Sequence, residues 1–258
     1  MKIGYQLFSA LELCGSGEGL EQTIRKIAQM GYDGVEFFSY GGISAGRMKE
    51  ILAECKVEAI NSHVQLERWQ KDPEGEILYA REAGIPYVTI PWVAPKLRSA
   101  EGFRQIRELC TRLAPLCEEQ GVGLLYHNHH FEFEKEEDRY ILDSLLEADS
   151  RVGLELDTFW AHYAKVKPAD YMEKQKERLR LIHVKDYLSL SGGPEAGGME
   201  MPLFTAIGTG EMDNERIFGK AKELGLNWVI VEQDNSQIDV LESARQSLKS
   251  LKEAFKDE

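Results

Sequence analysis

Four segments in the second half of the sequence end on side chains that could hold a divalent ion. They are Tyr126-His127-Asn128-His129, Leu154-Glu155-Leu156-Asp157, Leu181-Ile182-His183-Val184-Lys185-Asp186 and Ile230-Val231-Glu232-Gln233-Asp234. Each is apolar before and polar after, as in a buried parallel strand whose C-terminal end reaches a rim. Alternate side chains of a strand face the same way. An inward Asp157 therefore brings Glu155 with it, His183 brings Lys185, His127 brings His129, and Glu232 brings Asp234. Unpaired charges inside a barrel cost several kcal/mol each, so such a group must be mutually compensated or metal-bound. One divalent ion would satisfy His127 (or His129), Asp157, His183 and Glu232 together, at ligand distances of about 2.0–2.2 Å. Mixed histidine and carboxylate ligands with open positions suit Mn, Mg, Co or Zn alike. A single carboxylate at a strand end is more often a cap or an ion-pair partner; four coinciding ends point to a metal.

Other residues near these ends read differently. Glu155 is expected to form an ion pair with Lys185 or a neighbour. His63, closing Asn61-Ser62-His63, suits either a substrate contact or a satisfied rim histidine, and His130 is expected to face away. Phe38, Trp92 and Trp160 could wall a sugar pocket or pack against loops.

The elements that must position these residues repeat along the chain. A helical pattern ends in Gly, and a short apolar strand follows. Ala28-Gln29-Met30-Gly31 precedes Gly34-Val35-Glu36-Phe37, and Arg81-Glu82-Ala83-Gly84 precedes Tyr87-Val88-Thr89-Ile90. Gly121 and Gly225 stand in the same place before Gly123-Leu124-Leu125-Tyr126 and Trp228-Val229-Ile230-Val231. Gly just past a helix supplies its left-handed cap. Strands are expected near 3–8, 33–38, 57–63, 86–91, 122–129, 152–157, 180–185 and 228–232. Helices are expected near 19–30, 44–55, 74–83, 99–120, 138–147, 168–178, 213–224 and 238–255. Eight of each, in 258 residues, imply an α/β fold of the (β/α)8 TIM-barrel type, a single domain over 1–258. The alternative doubly wound sheet would carry a Gly-rich phosphate turn after its first strand, and none is present. Residues 187–212, with Ser191-Gly192-Gly193-Pro194 and Ala196-Gly197-Gly198, read as a long irregular loop on the catalytic face.

Composition narrows the partners. A net charge of -13 and a pI near 5.1 oppose nucleic-acid binding, which needs a basic footprint. Met1 is followed almost at once by the strand Ile3-Gly4-Tyr5-Gln6-Leu7-Phe8, leaving no room for a signal peptide. No apolar run approaches the ~20 residues needed to span a bilayer. Cys14, Cys55, Cys110 and Cys117 include no CxxC. Cys110 and Cys117 would lie roughly 10 Å apart along one helix, too far for a disulfide. Reduced thiols in the cytoplasm are expected. The sequence is compatible with a monomer or a homo-oligomer.

Taken in order, these motifs resemble the xylose isomerase-like TIM barrel superfamily. Within it they resemble the sugar phosphate isomerase/epimerase group that includes D-tagatose 3-epimerase and inosose dehydratase. The similarity runs from Ile3-Gly4-Tyr5-Gln6-Leu7-Phe8-Ser9 through Tyr126-His127-Asn128-His129-His130-Phe131-Glu132-Phe133 and Gly153-Leu154-Glu155-Leu156-Asp157-Thr158-Phe159-Trp160. It continues in Ile182-His183-Val184-Lys185-Asp186, Ile207-Gly208-Thr209-Gly210-Glu211 and Val231-Glu232-Gln233-Asp234. The resemblance implies one divalent cation on His127, Asp157, His183 and Glu232, and a small-molecule sugar or cyclitol as substrate. It implies catalysis by proton abstraction next to a carbonyl, with Glu232 as base.

The sequence departs from the epimerase pattern twice. His127 stands where those enzymes carry the strand-five glutamate, with Glu132 the nearest downstream acid. Trp160 stands where they carry a substrate-contacting histidine. A keto-sugar or keto-cyclitol isomerase or epimerase is the leading expectation. Dehydration or elimination from the same enolate, with acid help from His129 or Glu132, is the alternative. His63, Trp160 and Lys185 are expected to contact substrate, and Lys185 and Glu132 to orient hydroxyls. A metal phosphodiesterase acting on abasic DNA would need more ligands and a basic surface. A sugar-binding barrel without turnover leaves the dense ligand set without a task.

Overall fold

The computed structural model describes residues 1–196 and 199–255. Eight parallel strands close into a barrel: β1 Lys2–Gln6, β2 Gly34–Phe37, β3 Glu58–His63, β4 Tyr87–Ile90, β5 Gly123–His127, β6 Gly153–Asp157, β7 Leu179–Val184 and β8 Trp228–Val231. They follow one another around the barrel in chain order, and β8 closes on β1 with Gly4 opposite Ile230. His127 is registered opposite Glu155, and Asp157 opposite His183, so the polar ends of neighbouring strands stand side by side near the rim.

Among the described residues ten α-helices surround the strands: α1 Gly17–Met30, α2 Ala45–Cys55, α3 Leu66–Lys71, α4 Pro73–Ala83, α5 Ala100–Glu119, α6 Ile141–Leu146, α7 Thr158–Tyr163, α8 Pro168–Lys174, α9 Asn214–Glu223 and α10 Val240–Ala254. Side-chain caps start several of them. Ser16 Oγ accepts from Gly19 N at 3.1 Å and Ser99 Oγ from Gly102 N at 3.2 Å. The four glycines expected to end helices, Gly31, Gly84, Gly121 and Gly225, have φ of 97°, 79°, 71° and 68°, the left-handed region.

Local departures from expectation have local causes. The first strand stops at Gln6, whose side-chain carbonyl accepts from Phe8 N and starts a 3₁₀ turn over Leu7–Leu13. Asp72 accepts from Gly75 N at 2.9 Å with Pro73 at the first helical position, so α3 and α4 are separate helices. The segment expected as a helix from 138 begins at Ile141, because Lys135–Glu136 pairs with Arg139–Tyr140 around Glu137, whose φ is 57°. Helix α8 stops at Lys174, and Thr158–Tyr163 adds the unexpected α7.

The long loop after β7 is an antiparallel hairpin, Asp186–Ala196 with Met199–Thr205. Three register shifts interrupt its ladder, which removes the alternation a regular strand would leave in sequence. Gly197 and Gly198 of this stretch, and residues 256–258, lie outside the described residues. Among the described residues the hairpin's strands pair only with each other, while the Asn235 side chain beyond β8 accepts from Phe204 N and donates to Pro202 O. The hairpin's root is tied by the Asp186 carboxylate, which accepts from Tyr187 N and Met212 N on Oδ1 and from Gly208 N and Gly210 N on Oδ2, at 2.9–3.0 Å.

The main core lies between strands and helices, and a smaller cluster, Ile60, Leu125, Leu181 and Ile230, plugs the barrel interior. Gly4 and Gly34 make room for that plug and for Trp228. A Cβ on Gly34 would stand 2.8 Å from Glu58 O and 2.8 Å from the Trp228 ring. Gly34→Val should therefore destabilise the fold by about 1–3 kcal/mol in urea denaturation. Gly46→Ala, in α2 with no heavy atom nearer than 3.8 Å, should hold or raise stability. Equal midpoints for the two variants would contradict this account of the plug.

Candidate metal and substrate site

At the C-terminal rim the inward strand ends converge under a cavity of about 390 Å³. His127 Nδ1 lies 3.1 Å from Pro91 O, an acceptor, so Nδ1 carries the proton and Nε2 presents a lone pair. That Nε2 is buried without a hydrogen-bond partner, 3.6 Å from Asp157 Oδ2 and 4.0 Å from Glu232 Oε2. Asp157 Oδ1 caps α7 by accepting from Trp160 N at 2.8 Å, which turns Oδ2 into the site. This second oxygen also has no hydrogen bond, although Lys185 Nζ stands 3.1 Å away in ion-pair contact. Asn128 clamps the backbone of Asp157 from β5, accepting from its N and donating to its O.

His183, fully buried on β7, joins two layers. Its Nδ1 lies 2.8 Å from Glu232 Oε2, and its Nε2 lies 2.6 Å from Glu36 Oε1 and 3.2 Å from Glu155 Oε1. The ligand-type atoms of His127, Asp157, His183 and Glu232 all lie within 4.8 Å of one another, as do those of Glu36, His63, Glu155 and His183. Both sets could hold a metal ion by distance. They differ in what already satisfies them. Glu36 receives Gln6 Nε2 and His183 Nε2 on one oxygen and Asn61 Nδ2 on the other at 3.0 Å. Glu155 receives Asn61 at 3.1 Å and faces His63 Nε2 at 2.8 Å. The upper set alone holds unpartnered carboxylate and imidazole atoms directed at one another. Orphaned buried acceptors of this kind fit a cation.

The charges follow from these contacts. Burial opposes ionisation of Glu232, but Lys185 and His183 outweigh it and hold the carboxyl well below its usual range. Asp157 is lowered likewise against burial, by Lys185 and His127. Burial works against the Lys185 cation, yet Asp157, Asp234 and Glu232 keep its pKa raised; Asp234 takes two hydrogen bonds from it at 2.9 and 3.0 Å. Burial pushes His129 well below the usual imidazole range, helped by His127 and Lys185, so the ring is neutral. Burial and the neighbouring Glu155 push Glu36 up to about 7, against the pull of His183 and His63.

Most expected positions come together. His63, His127, His129, Trp160, Lys185 and Glu232 line the cavity, with Phe38 and Trp92; Asp157 and His183 complete its floor. Glu132 does not line it. Its carboxylate accepts from Tyr126 OH at 2.7 Å and from His129 N at 2.8 Å, so it braces the β5 end rather than reaching hydroxyls. Glu155 pairs with His63 and His183, not with Lys185. His130, expected to face away, lines the cavity and packs 5.4 Å from Trp160, because the chain curls into a 3₁₀ turn at Phe131–Phe133. Gln6, Glu36 and Asn61 were not expected. The signal for Glu36 was a polar residue in an otherwise apolar strand; Gln6 and Glu36 both stand two positions after the inward Gly4 and Gly34, and Asn61 stands two positions before the rim residue His63.

Comparison with known proteins agrees with this architecture. A curated relative, inosose dehydratase from Geobacillus kaustophilus (strain HTA426), is 29% identical over 133 residues, covering 48% of this chain and 42% of the relative. The matched segment thus spans less than half of that relative's length. A sugar phosphate isomerase/epimerase from Parabacteroides distasonis ATCC 8503 superposes with a TM-score of 0.76 at 22% identity, over 97% of this chain and 93% of that one. The IOLI protein, solved with a bound zinc atom, superposes with a TM-score of 0.75 at 16% identity, over 100% and 99%. The family model described as xylose isomerase-like TIM barrel matches residues 24–254, and the chain belongs to that family.

Proposed function

We propose that the protein is a divalent-metal-dependent isomerase or epimerase of keto sugars or keto-cyclitols, acting first at the carbon beside the carbonyl. The observation that carries this reading is the pair of buried, unpartnered atoms His127 Nε2 and Asp157 Oδ2, 3.6 Å apart beside His183 Nδ1 and Glu232 Oε2. In this reading His127, Asp157, His183 and Glu232 hold the ion. A divalent ion bound there would draw electron density from the substrate carbonyl and acidify the neighbouring C–H.

The chain's own groups then take these parts. Glu232, kept ionised and facing the cavity, is the base. Lys185, 2.9 Å from Glu232 Oε2, presents a fixed cation to the oxygen on which charge develops. His129, neutral and facing the cavity, is the second proton carrier, and Glu132 positions it through its backbone N–H. His63 and Trp160 contact the sugar. Glu36 and Glu155 orient His183 from below, as carboxylates behind metal-bound histidines commonly do.

A second reading, elimination of water or another β-substituent, draws support from one observation. The cavity-lining carboxylates, Glu232 and Asp234, both come from the end of β8, while β5 offers His127 and His129. Among the described residues no carboxylate pair faces the cavity from opposite sides, and the Lys185 ammonium beside the base could protonate a departing hydroxyl. The likeness to inosose dehydratase points the same way.

Proton exchange in deuterated water, with Mn-loaded protein and a panel of ketohexoses and inososes read by NMR, tests the proposal. Deuterium at the carbon beside the carbonyl with an inverted stereocentre or a moved carbonyl supports the first reading, and loss of a β-substituent the second. Absence of exchange in protein shown to hold its metal would sink both. Glu232→Gln should abolish exchange, more than 10³-fold as an order of magnitude, with an unchanged circular dichroism spectrum; retained exchange removes Glu232 from the chemistry. Glu36→Gln should weaken metal affinity by roughly tenfold to a hundredfold in chelator competition. Unaltered affinity would leave Glu36 a structural group only.

A further inference from the structure

The cavity has an ionic floor and an apolar upper chamber, and the keto-sugar reading uses only the floor. The chamber walls come from loops that follow the strands. Phe8 follows β1, Phe38 follows β2, Trp92 follows β4, Trp160 stands in α7, and Met199 and Met201 project from the hairpin after β7. Phe8 and Phe38 pack edge-to-face, centroids 5.7 Å apart, on one side of the opening. The two methionines belong to the hairpin that leaves the end of β7, two strands round the barrel from β1.

Polar atoms in this upper part come from Gln65, Arg98, His129, His130 and the Trp160 indole, of which His129 Nδ1, His130 Nδ1 and Trp160 Nε1 have no hydrogen-bond partner; the rest of the wall is apolar. The Arg98 guanidinium lies 3.7 Å from the Phe131 ring centroid, and its Nε donates to Val93 O at 3.0 Å. His130 is packed against Trp160, Phe131 and Tyr163. A free sugar carries hydroxyls on every side, and each one buried without a partner costs free energy. One aromatic wall can stack on the apolar face of a sugar, but here apolar side chains enclose the chamber from several loops at once. A phosphorylated sugar would need several charged donors in a fork or a helix-end cradle; Arg98 is the one guanidinium among the described lining residues, and its face is stacked on the Phe131 ring. Flat rings and thioethers instead match an aromatic group; methionine sulfur and aromatic edges both pack favourably on a ring.

We infer that the substrate is a keto sugar bearing a flat apolar substituent, an aryl group, with its sugar on the ionic floor and the aryl group in the chamber between Phe8, Phe38, Trp92 and Met201. The inference rests on the keto-sugar reading and adds to it the class of the substituent. The substituent's recognition is apolar burial, so it needs no donor from Arg98.

Calorimetric titration of the full-length protein with three probes separates the two readings. The probes are the phenyl glycoside of a 3-keto-glucopyranose, the matching methyl glycoside, and phenol alone. The phenyl glycoside should bind at least tenfold more tightly than the methyl glycoside, equivalent to about 1.4 kcal/mol. That ratio should fall toward one in Met201→Ser and, separately, in Phe8→Ser. Phe8 is 39% exposed and Met201 is half-buried, so both variants should fold; their melting curves check this. Equal affinity for the two glycosides would overturn the aryl inference and leave the keto-sugar reading standing. Binding of phenol with neither glycoside would defeat the keto-sugar reading and the inferred substrate with it, leaving only an apolar chamber. No binding of any probe would overturn the inference as well.

Discussion

His183 is the joint on which the interior of this barrel depends. Its imidazole touches Glu232 on one nitrogen and Glu36 on the other, so two layers of buried carboxylate are held in fixed relation by one ring. Buried carboxylates are costly unless each lone pair finds a proton or a cation. The lower layer solves this internally, through Gln6, Asn61, His63 and His183. The upper layer solves it with Lys185, which contacts Asp157, Glu232 and Asp234 together. Some upper-layer acceptors remain unpartnered, and they lie where a cation would meet the cavity. Stability and chemistry are thus divided by depth. The satisfied layer supports, and the unsatisfied layer is available to react.

The ring's position also explains why the rim can be both charged and rigid. Thr158 Oγ1 donates to His183 O at 2.8 Å, and Asn128 clamps Asp157 by two backbone hydrogen bonds. Both residues directly flank ligand-type side chains, so the backbone of β5, β6 and β7 is pinned within one residue of His127, Asp157 and His183. Side chains held this way lose little further entropy when a substrate arrives.

What was legible in the sequence follows the same division. On β5 through β8 the apolar runs are clean and their polar ends abrupt, so the two-residue alternation located His127, Asp157, His183, Lys185 and Glu232, and with them the barrel. On β1 through β3 the same parity held for Gln6 and Glu36, yet a lone polar residue in a four- or five-residue strand is a weak signal. Its meaning comes from a partner such as His183, 147 positions away. Glu132 looked like an available acid because sequence carries no sign that Tyr126 OH and His129 N would occupy it. His130 was misjudged because strand parity lapses where the chain enters a 3₁₀ turn. The hairpin after β7 was hidden by its own bulges and by its glycine and proline content, which are turn signals everywhere else.

Among the described residues that hairpin shares no strand ladder with the barrel; its base is gathered by the carboxylate of Asp186 and by the side chain of Asn235. Its outer length and side chains can therefore drift without breaking a bond of the barrel's strand ladder, so long as the Asp186 and Asn235 contacts and the close approach at Gly210 persist. A descendant of this chain could exchange one hairpin for another and meet a different molecule above the same floor. The fold thereby carries an interchangeable part, in which new specificities can be tried while the buried polar residues of the rim stay where they are.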